Sequence, residues 1–253
     1  PEYEGDGVSR GWRDLGLRVG GTLARELAGA FDAMFARADS QHRPFTRWRK
    51  ASARQAIAGA EGELLLSGPG RGRNAIKRAL LADLRETARL QLVAAYFLPT
   101  RPLRRALARV ARRGGQVQLI LPQKSDVALS RLATRSLYQR FLNAGVEIYE
   151  YEPQILHTKL IVTDLGCYVG SSNLDAWSLH INYELMVRLA DPDRVAEART
   201  IFHEHLAHSR RIEPQAWRCS RTFWHKLQER WACFVLARLD PLFTRRQLRW
   251  WGP

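Results

Sequence analysis

The sequence predicts a layered α/β domain in which a mixed central sheet is flanked by helices. Short apolar runs such as "ELLLS", "QVQLILP" and "KLIVTD" alternate with longer helical patterns, which is the order of a layered sheet-and-helix domain. Several of these runs are apolar throughout rather than at every second residue, as suits strands covered on both faces. The chain has 253 residues and 45% hydrophobic content, enough to bury the core of one large domain or two small ones.

The elements follow in order. "DLGLRV" (residues 14–19) alternates like a short strand, and "TLARELAGAFDAMFARA" continues as a helix with Thr22 as its cap and Leu23, Leu27, Phe31 and Met34 on one face. Residues 39–60 are basic and polar and read as an exposed connecting segment. "ELLLSGPGRGR" gives a strand and a glycine-rich turn, and "NAIKRALLADLRETA" a helix. An apolar strand in "LQLVAAYFLP", a helix from Arg101 to Arg113 and the strand "QVQLILP" come next, with Gly114-Gly115 breaking the chain between them. One helix over "ALSRLATRSLYQRFLNAG" leads to the strand "VEIYEY". "KLIVTD" and "CYVGSS" then predict adjacent central strands, with "YELMVRLAD" another. The predicted divisions are residues 1–60, 61–212 and 213–253.

The two ends of the chain resemble each other. "DLGLRV" and "ELMVRL" (Glu184 to Leu189) share the order acidic, Leu, any, aliphatic, Arg, aliphatic, at an offset of 170 residues, and a helix carrying Phe31 or Phe202 follows each. This predicts a duplicated unit of which only the end of the first copy is present. Pro1 opens a polar, glycine-rich stretch that reads as the middle of a loop, so the expected start of the protein lies upstream.

The formal charge of +15 points to anionic partners: nucleic acid, phosphorylated substrates or an acidic membrane surface. Cys167, Cys219 and Cys233 are too few and too scattered for a disulfide framework or a cysteine-rich zinc site, and suit a reducing compartment. No apolar run approaches the roughly 18 residues that span a bilayer, which predicts a chain that works in solution or on a surface.

Chemistry concentrates in "HTKLIVTD" and the "GSSN" that follows. Alternate residues of a strand share a face, so His157 and Lys159 bring an imidazole and an ammonium to one spot. The imidazole can serve as nucleophile or as acid and base near neutral pH, and the ammonium offers fixed positive charge to a phosphate oxygen. Ser171 and Asn173 can add hydrogen-bond donors to the same anion.

His157-x-Lys159-x4-Asp164 followed by Gly170-Ser171-x-Asn173 resembles the HKD signature of the phospholipase D superfamily. With "AAYFLP", "SGPG" and "WRDLGLRV" the likeness extends over nearly the whole chain, to the C-terminal half of bacterial cardiolipin synthases. The resemblance implies a phospholipase D-like fold and a reaction shared by two histidines. One attacks phosphorus to form a phosphohistidine, and the other protonates the leaving alcohol and then activates the incoming one. His157 lies in the second motif and would be the acid and base. The resemblance also implies that Lys159 and Asn173 bind phosphate oxygens with help from Ser171, that Glu184 orients a catalytic imidazole, and that Asp164 holds its loop. It implies no metal and no cofactor. Asp14, the counterpart of Glu184, would serve the absent half.

None of His42, His180, His203, His205, His208 and His225 has a lysine two residues on. The chain therefore holds half a site, to be completed by upstream residues or by a second copy. The expected substrate is phosphatidylglycerol or a similar phospholipid at the cytoplasmic face of a bacterial membrane. A dimeric one-motif endonuclease, with nucleic acid as partner, and a non-catalytic membrane-binding fragment are the rival readings.

Other features have plainer explanations. "SGPGRGR" is first a strand-to-helix turn and only second a phosphate cradle. In "HEHLAH" only His205 and His208 can meet on a helix, so the segment reads as exposed surface rather than a metal cluster. Residues 209–253 carry ten Lys/Arg against three Asp/Glu, with Trp217, Trp224, Trp231, Trp250 and Trp251 interleaved. Phe223, Leu227, Trp231, Phe234 and Val235 can share one helical face, either on an anionic membrane or packed against the domain.

Overall fold

The computed structural model describes residues 11–38, 55–59, 62–68, 73–180 and 182–236. Nine strands form one mixed sheet. In chain order they are β2 (Ala56–Ala58), β3 (Glu63–Ser67), β4 (Arg89–Val93), β5 (Gln116–Pro122), β6 (Glu147–Tyr151), β8 (Leu160–Val162), β9 (Cys167–Gly170), β10 (Glu184–Leu189) and β11 (Ser209–Arg211). Across the sheet the order is β11-β6-β5-β4-β8-β9-β10-β3-β2, with β4, β5 and β6 parallel and the other pairs antiparallel. A separate parallel ribbon joins β1 (Trp12–Arg13) to β7 (Ile155–Leu156).

Both faces of the sheet are covered, which explains the continuous apolar runs. On one face Leu92, Leu119, Ile161, Tyr168 and Met186 pack with residues of α2 (Ala75–Glu86), α3 (Arg101–Arg112) and α5 (Tyr138–Leu142). On the other, Val93, Leu160, Val162 and Val169 meet Ala198 and Phe202 of α7 (Pro192–Ala207). Leu23 of α1 (Gly21–Ala38) joins Leu64 and Val187 in a third cluster. The helices begin on sequence signals: Asn74 accepts from the Lys77 amide at α2, and Asp191 from the Arg194 amide at α7, where Pro192 has no N–H to satisfy.

The predicted β8, β9 and β10 are adjacent at the centre. Other expectations are corrected. Residues 14–19 are not a strand: the ribbon ends at Arg13, whose carbonyl accepts the His157 amide, and the Leu15 amide turns back to the Asp14 carboxylate instead of a neighbouring strand. Thr22 is no cap, because α1 starts at Gly21 and the Ala24 amide bonds the Gly20 carbonyl. Among the described side chains of the α1 face Leu23 is buried and Leu27 half-buried, whereas Phe31 and Phe35 stack on each other in the open. The connecting segment lies outside the described residues except at its end, where β2 adds to the sheet. The expected single helix after β5 is two, α4 (Ala128–Arg135) and α5, divided at Ser136–Leu137 where the Leu137 amide bonds the Thr134 carbonyl.

His205 is also corrected. It is 3% exposed, with Nδ1 on the Ile201 carbonyl and Nε2 at 3.2 Å from the Thr158 hydroxyl, because α7 packs that side against the sheet. The helix turns His203 and His208 outward. Residues 69–72 of "SGPGRGR", and Trp250 and Trp251, lie outside the described residues. No helix of the described residues is long and apolar enough to cross a membrane.

Candidate active site

The antiparallel register brings the start of β8, the end of β9 and the start of β10 to one edge of the sheet. Leu160 pairs with Val169 and Val187 with Val169, so the residues before Leu160, after Gly170 and at Glu184 gather beyond the last rungs. That edge lies past the carboxyl ends of parallel β4, β5 and β6, where open α/β sheets form ligand crevices. Gly170 is required there: a Cβ would collide with the Leu185 carbonyl of β10.

His157 is held from three sides. Its Nδ1 lies 2.7 Å from Asp14 Oδ2, its amide donates to the Arg13 carbonyl, and the Trp12 ring tilts against it with centroids 4.6 Å apart. The Lys159 Nζ donates to the His157 carbonyl at 2.7 Å and lies 2.9 Å from both ring nitrogens. A carboxylate can only accept, so Nδ1 carries the proton it gives to Asp14. Nε2 is then the nitrogen left to exchange a proton, with a lone pair in the neutral ring and a hydrogen in the imidazolium.

Lys159 is only 7% exposed, and burial lowers its ammonium pKa against the opposing pull of Asp14, Glu184 and Asp126. Burial works to raise the Asp14 carboxyl, but the His157 bond, the Leu15 amide and the Lys159 charge hold it below the usual value. A largely desolvated cation interacts strongly with an anion that reaches it.

The remaining predicted residues divide. Asn173 Oδ1 accepts the Tyr96 amide at 3.2 Å, which leaves its NH2 group as donor. The Tyr96 hydroxyl in turn bonds both oxygens of Asp126 at 2.7 Å. Ser171 directs its hydroxyl to the Glu184 carboxylate, and Asn182 donates to the other Glu184 oxygen at 3.3 Å. Asp164 stands at the opposite end of β8. It accepts from the Ala88 and Arg89 amides, both at 2.8 Å, the Thr87 hydroxyl and the Arg199 guanidinium, so it clasps the start of β4 and does not face His157.

Asp164 yields a testable pH effect. Burial would raise its carboxyl, but the Arg89 and Ala88 amides and the Thr87 hydroxyl bring it down from 3.8 to about 2. A pKa depressed on folding adds stability that is fully present above the unfolded value and fades as pH falls from about 4 through about 2. Because water reaches part of the carboxylate, Asp164→Asn is expected to cost about 1–2 kcal/mol at pH 7, with the gap closing near pH 2. Urea midpoints at the two pH values check it.

Sequence reasoning missed Trp12, Tyr96 and Asp126, and it assigned Asp14 to the other half of the site. The 170-residue offset marked Asp14 as a Glu184 counterpart; Trp12 and Tyr96 lay inside "WRDLGLRV" and "AAYFLP", which marked the segments without singling out the residues, and nothing marked Asp126. A cavity of about 1450 Å³ between the Leu15–Gly20 segment, α7, β9 and the end of β10 is lined by none of these side chains.

Comparison with known proteins now bears on this geometry. The family described as cardiolipin synthase, PLD-like domain, matches residues 80–206. Cardiolipin synthase A of Serratia proteamaculans (strain 568) is 34% identical over 171 residues, covering 66% of this chain and 35% of that protein. The chain thus spans about a third of the length of the curated relatives it matches. Among solved structures, phosphatidylserine synthase from Haemophilus influenzae Rd KW20 superposes with a TM-score of 0.56 at 13% identity, over 90% of this chain and 56% of that one. Nuc, a phospholipase D family member from Salmonella typhimurium, superposes with a TM-score of 0.50 at 16% identity, over 60% of this chain and 99% of that one. These structures share the fold. With its own family matched across half its length, the chain belongs to the phospholipase D-like cardiolipin synthase family.

Proposed function

We propose that this chain supplies one half of a phosphatidyltransferase site that makes cardiolipin, working on phosphatidylglycerol or a similar phospholipid at the cytoplasmic face of a bacterial membrane. The observation that carries the reading is the His157 imidazole held between Asp14 and Lys159. Asp14 fixes the Nδ1 proton, so Nε2 is the atom that moves a proton to and from an alcohol. Lys159 and the NH2 of Asn173 would bind the nonbridging phosphate oxygens, whose charge grows at the transition state. By the family resemblance, the histidine of the other half attacks phosphorus while His157 protonates the leaving alkoxide and then takes a proton from the incoming hydroxyl.

Asp14 belongs to the remnant of the first repeat but binds the histidine of the second. The offset of 170 then gives Glu184 the reciprocal task, holding the imidazole of the other half, with Ser171 and Asn182 steadying its carboxylate. This assigns residues 1–60 to the end of the first repeat and its connection, 61–212 to the second, and 213–253 to a basic tail.

The net charge of +15 gives the nuclease reading its one support. Incubating the chain, and a version extended upstream to include a second His-x-Lys motif, with phosphatidylglycerol vesicles and with DNA separates the two. Cardiolipin from the extended version alone is the expected result. DNA cleavage by the isolated chain would replace this reading with the nuclease.

A further inference from the structure

Helix α9 (Phe223–Phe234) is inside out for a water-soluble surface. Its large apolar residues are exposed: Phe223 at 72%, Trp224 at 68%, Trp231 at 60%, Phe234 at 54% and Leu227 at 47%. Its buried residues are Glu229 and Ala232. At about 100° per residue the five apolar side chains fill an arc of roughly 100°, and Glu229 and Ala232 lie on the opposite side. The helix therefore turns its polar seam toward the body and its aromatic stripe away from it.

The arrangement is fastened. Glu229 pairs with Arg221, both almost buried, and the Arg221 guanidinium lies 4.3 Å from the Trp217 ring centroid. Trp217 packs against Tyr138 with centroids 4.9 Å apart and also carries Arg135. Rolling the stripe inward would break this ladder, swing Glu229 out into water and leave the nearly buried Arg221 guanidinium without its carboxylate.

Charge selects the occupant. Glu229 is the only acidic residue of α9, and it is turned inward and neutralised, so the outward surface carries no negative charge. Lys226 and Arg230, both exposed, border one edge of the aromatic stripe. Phe and Trp flanked by cations fit the boundary between anionic headgroups and acyl chains, where an interfacial helix rests. A second copy of this chain would bring the same two cations against each other. Position agrees as well: α9 packs on α4, and the loop just before α4 holds Asp126, which bonds the hydroxyl of Tyr96, whose amide donates to Asn173.

We propose that α9 is an interfacial anchor that lies on an anionic bilayer with Phe223, Trp224, Leu227, Trp231 and Phe234 inserted. This deepens the phosphatidyltransferase reading by placing the site's rim at the lipid surface. It does not need the chain to be active.

The test is co-sedimentation of the whole chain with phosphatidylcholine vesicles, with and without phosphatidylglycerol. Binding is expected only to the anionic vesicles at moderate salt. Trp224→Ser/Leu227→Ser/Trp231→Ser is expected to lower it at least about ten-fold with the far-UV spectrum unchanged, since all three side chains are already in water. Lys226→Glu/Arg230→Glu keeps the aromatics and is expected to lose the preference for phosphatidylglycerol. Undiminished binding by the serine variant overturns the proposal. So does a parent chain that leaves the vesicles in the supernatant but sediments as a dimer that the serine variant breaks. His157→Ala is expected to bind vesicles like the parent, and an extended version that anchors yet never makes cardiolipin refutes the proposed activity and leaves the anchor standing.

Discussion

Replacing His157 with alanine is expected to lower the proposed phosphatidyl transfer by about 10²- to 10⁴-fold in the upstream-extended version, the range a positioned acid and base contributes. The side chain is 20% exposed and belongs to none of the three apolar clusters, so the thermal midpoint is expected to change little. Asp14→Asn should fall toward the low end of that range. The amide keeps the shape but loses the carboxylate charge, and the tautomer of the ring is no longer dictated. A positioning role predicts that the pH-rate profile of the Asp14 variant moves on the pH axis. A purely structural role would lower the rate at every pH without moving the profile. Quantifying cardiolipin from labelled phosphatidylglycerol across pH 5–9 reads both effects. Equal rates for His157→Ala and the parent would remove this histidine from the chemistry.

The second large effect concerns stability. Glu150 of β6 is fully buried and accepts from the Arg135 guanidinium at 2.8 Å, the Tyr138 hydroxyl at 3.2 Å and Arg210 at 3.1 Å. Burial, reinforced by this carboxylate, pushes the Tyr138 phenol well above its usual pKa, so the hydroxyl stays protonated and donates. Glu150→Ala leaves Arg135 facing a cavity without a counter-charge, and removing one partner of a buried pair costs about 3–5 kcal/mol. Against a total stability of roughly 5–15 kcal/mol that is a large share. The urea midpoint is expected to drop accordingly. Arg210→Ala, whose side chain is half exposed, is expected to cost under about 1 kcal/mol. A midpoint for Glu150→Ala within error of the parent would show that Arg135 finds water or another acceptor.

Much of this architecture is legible in the chain because its signals are local. "LIV" and "CYVG" are short, apolar and bounded by polar turns, so periodicity and length place β8 and β9. Asn74 and the Asp191-Pro192 pair announce helix starts. The failures are non-local. "DLGLRV" alternates as a strand should, but the Arg13 carbonyl is already taken by His157 and no neighbour offers a ladder beyond it. His205 sits three residues after Phe202, on the side of α7 that meets the sheet, and only the sheet reveals it as interior. An amphipathic pattern gives α9 its stripe but not the direction the stripe faces, which depends on Glu229 finding Arg221. The pairing of Asp14 with His157 spans 143 residues of sequence, beyond any local pattern.

That span also orders events in time. During synthesis Asp14 leaves the ribosome long before His157, and a loop of this length closes slowly compared with the β8 to β9 hairpin. The domain can thus reach its hydrogen-bonded sheet with a loose imidazole and fix that ring last, when the Trp12–Arg13 ribbon docks. Seating the imidazole and folding the sheet become separable steps, with the ribbon as the gate between them.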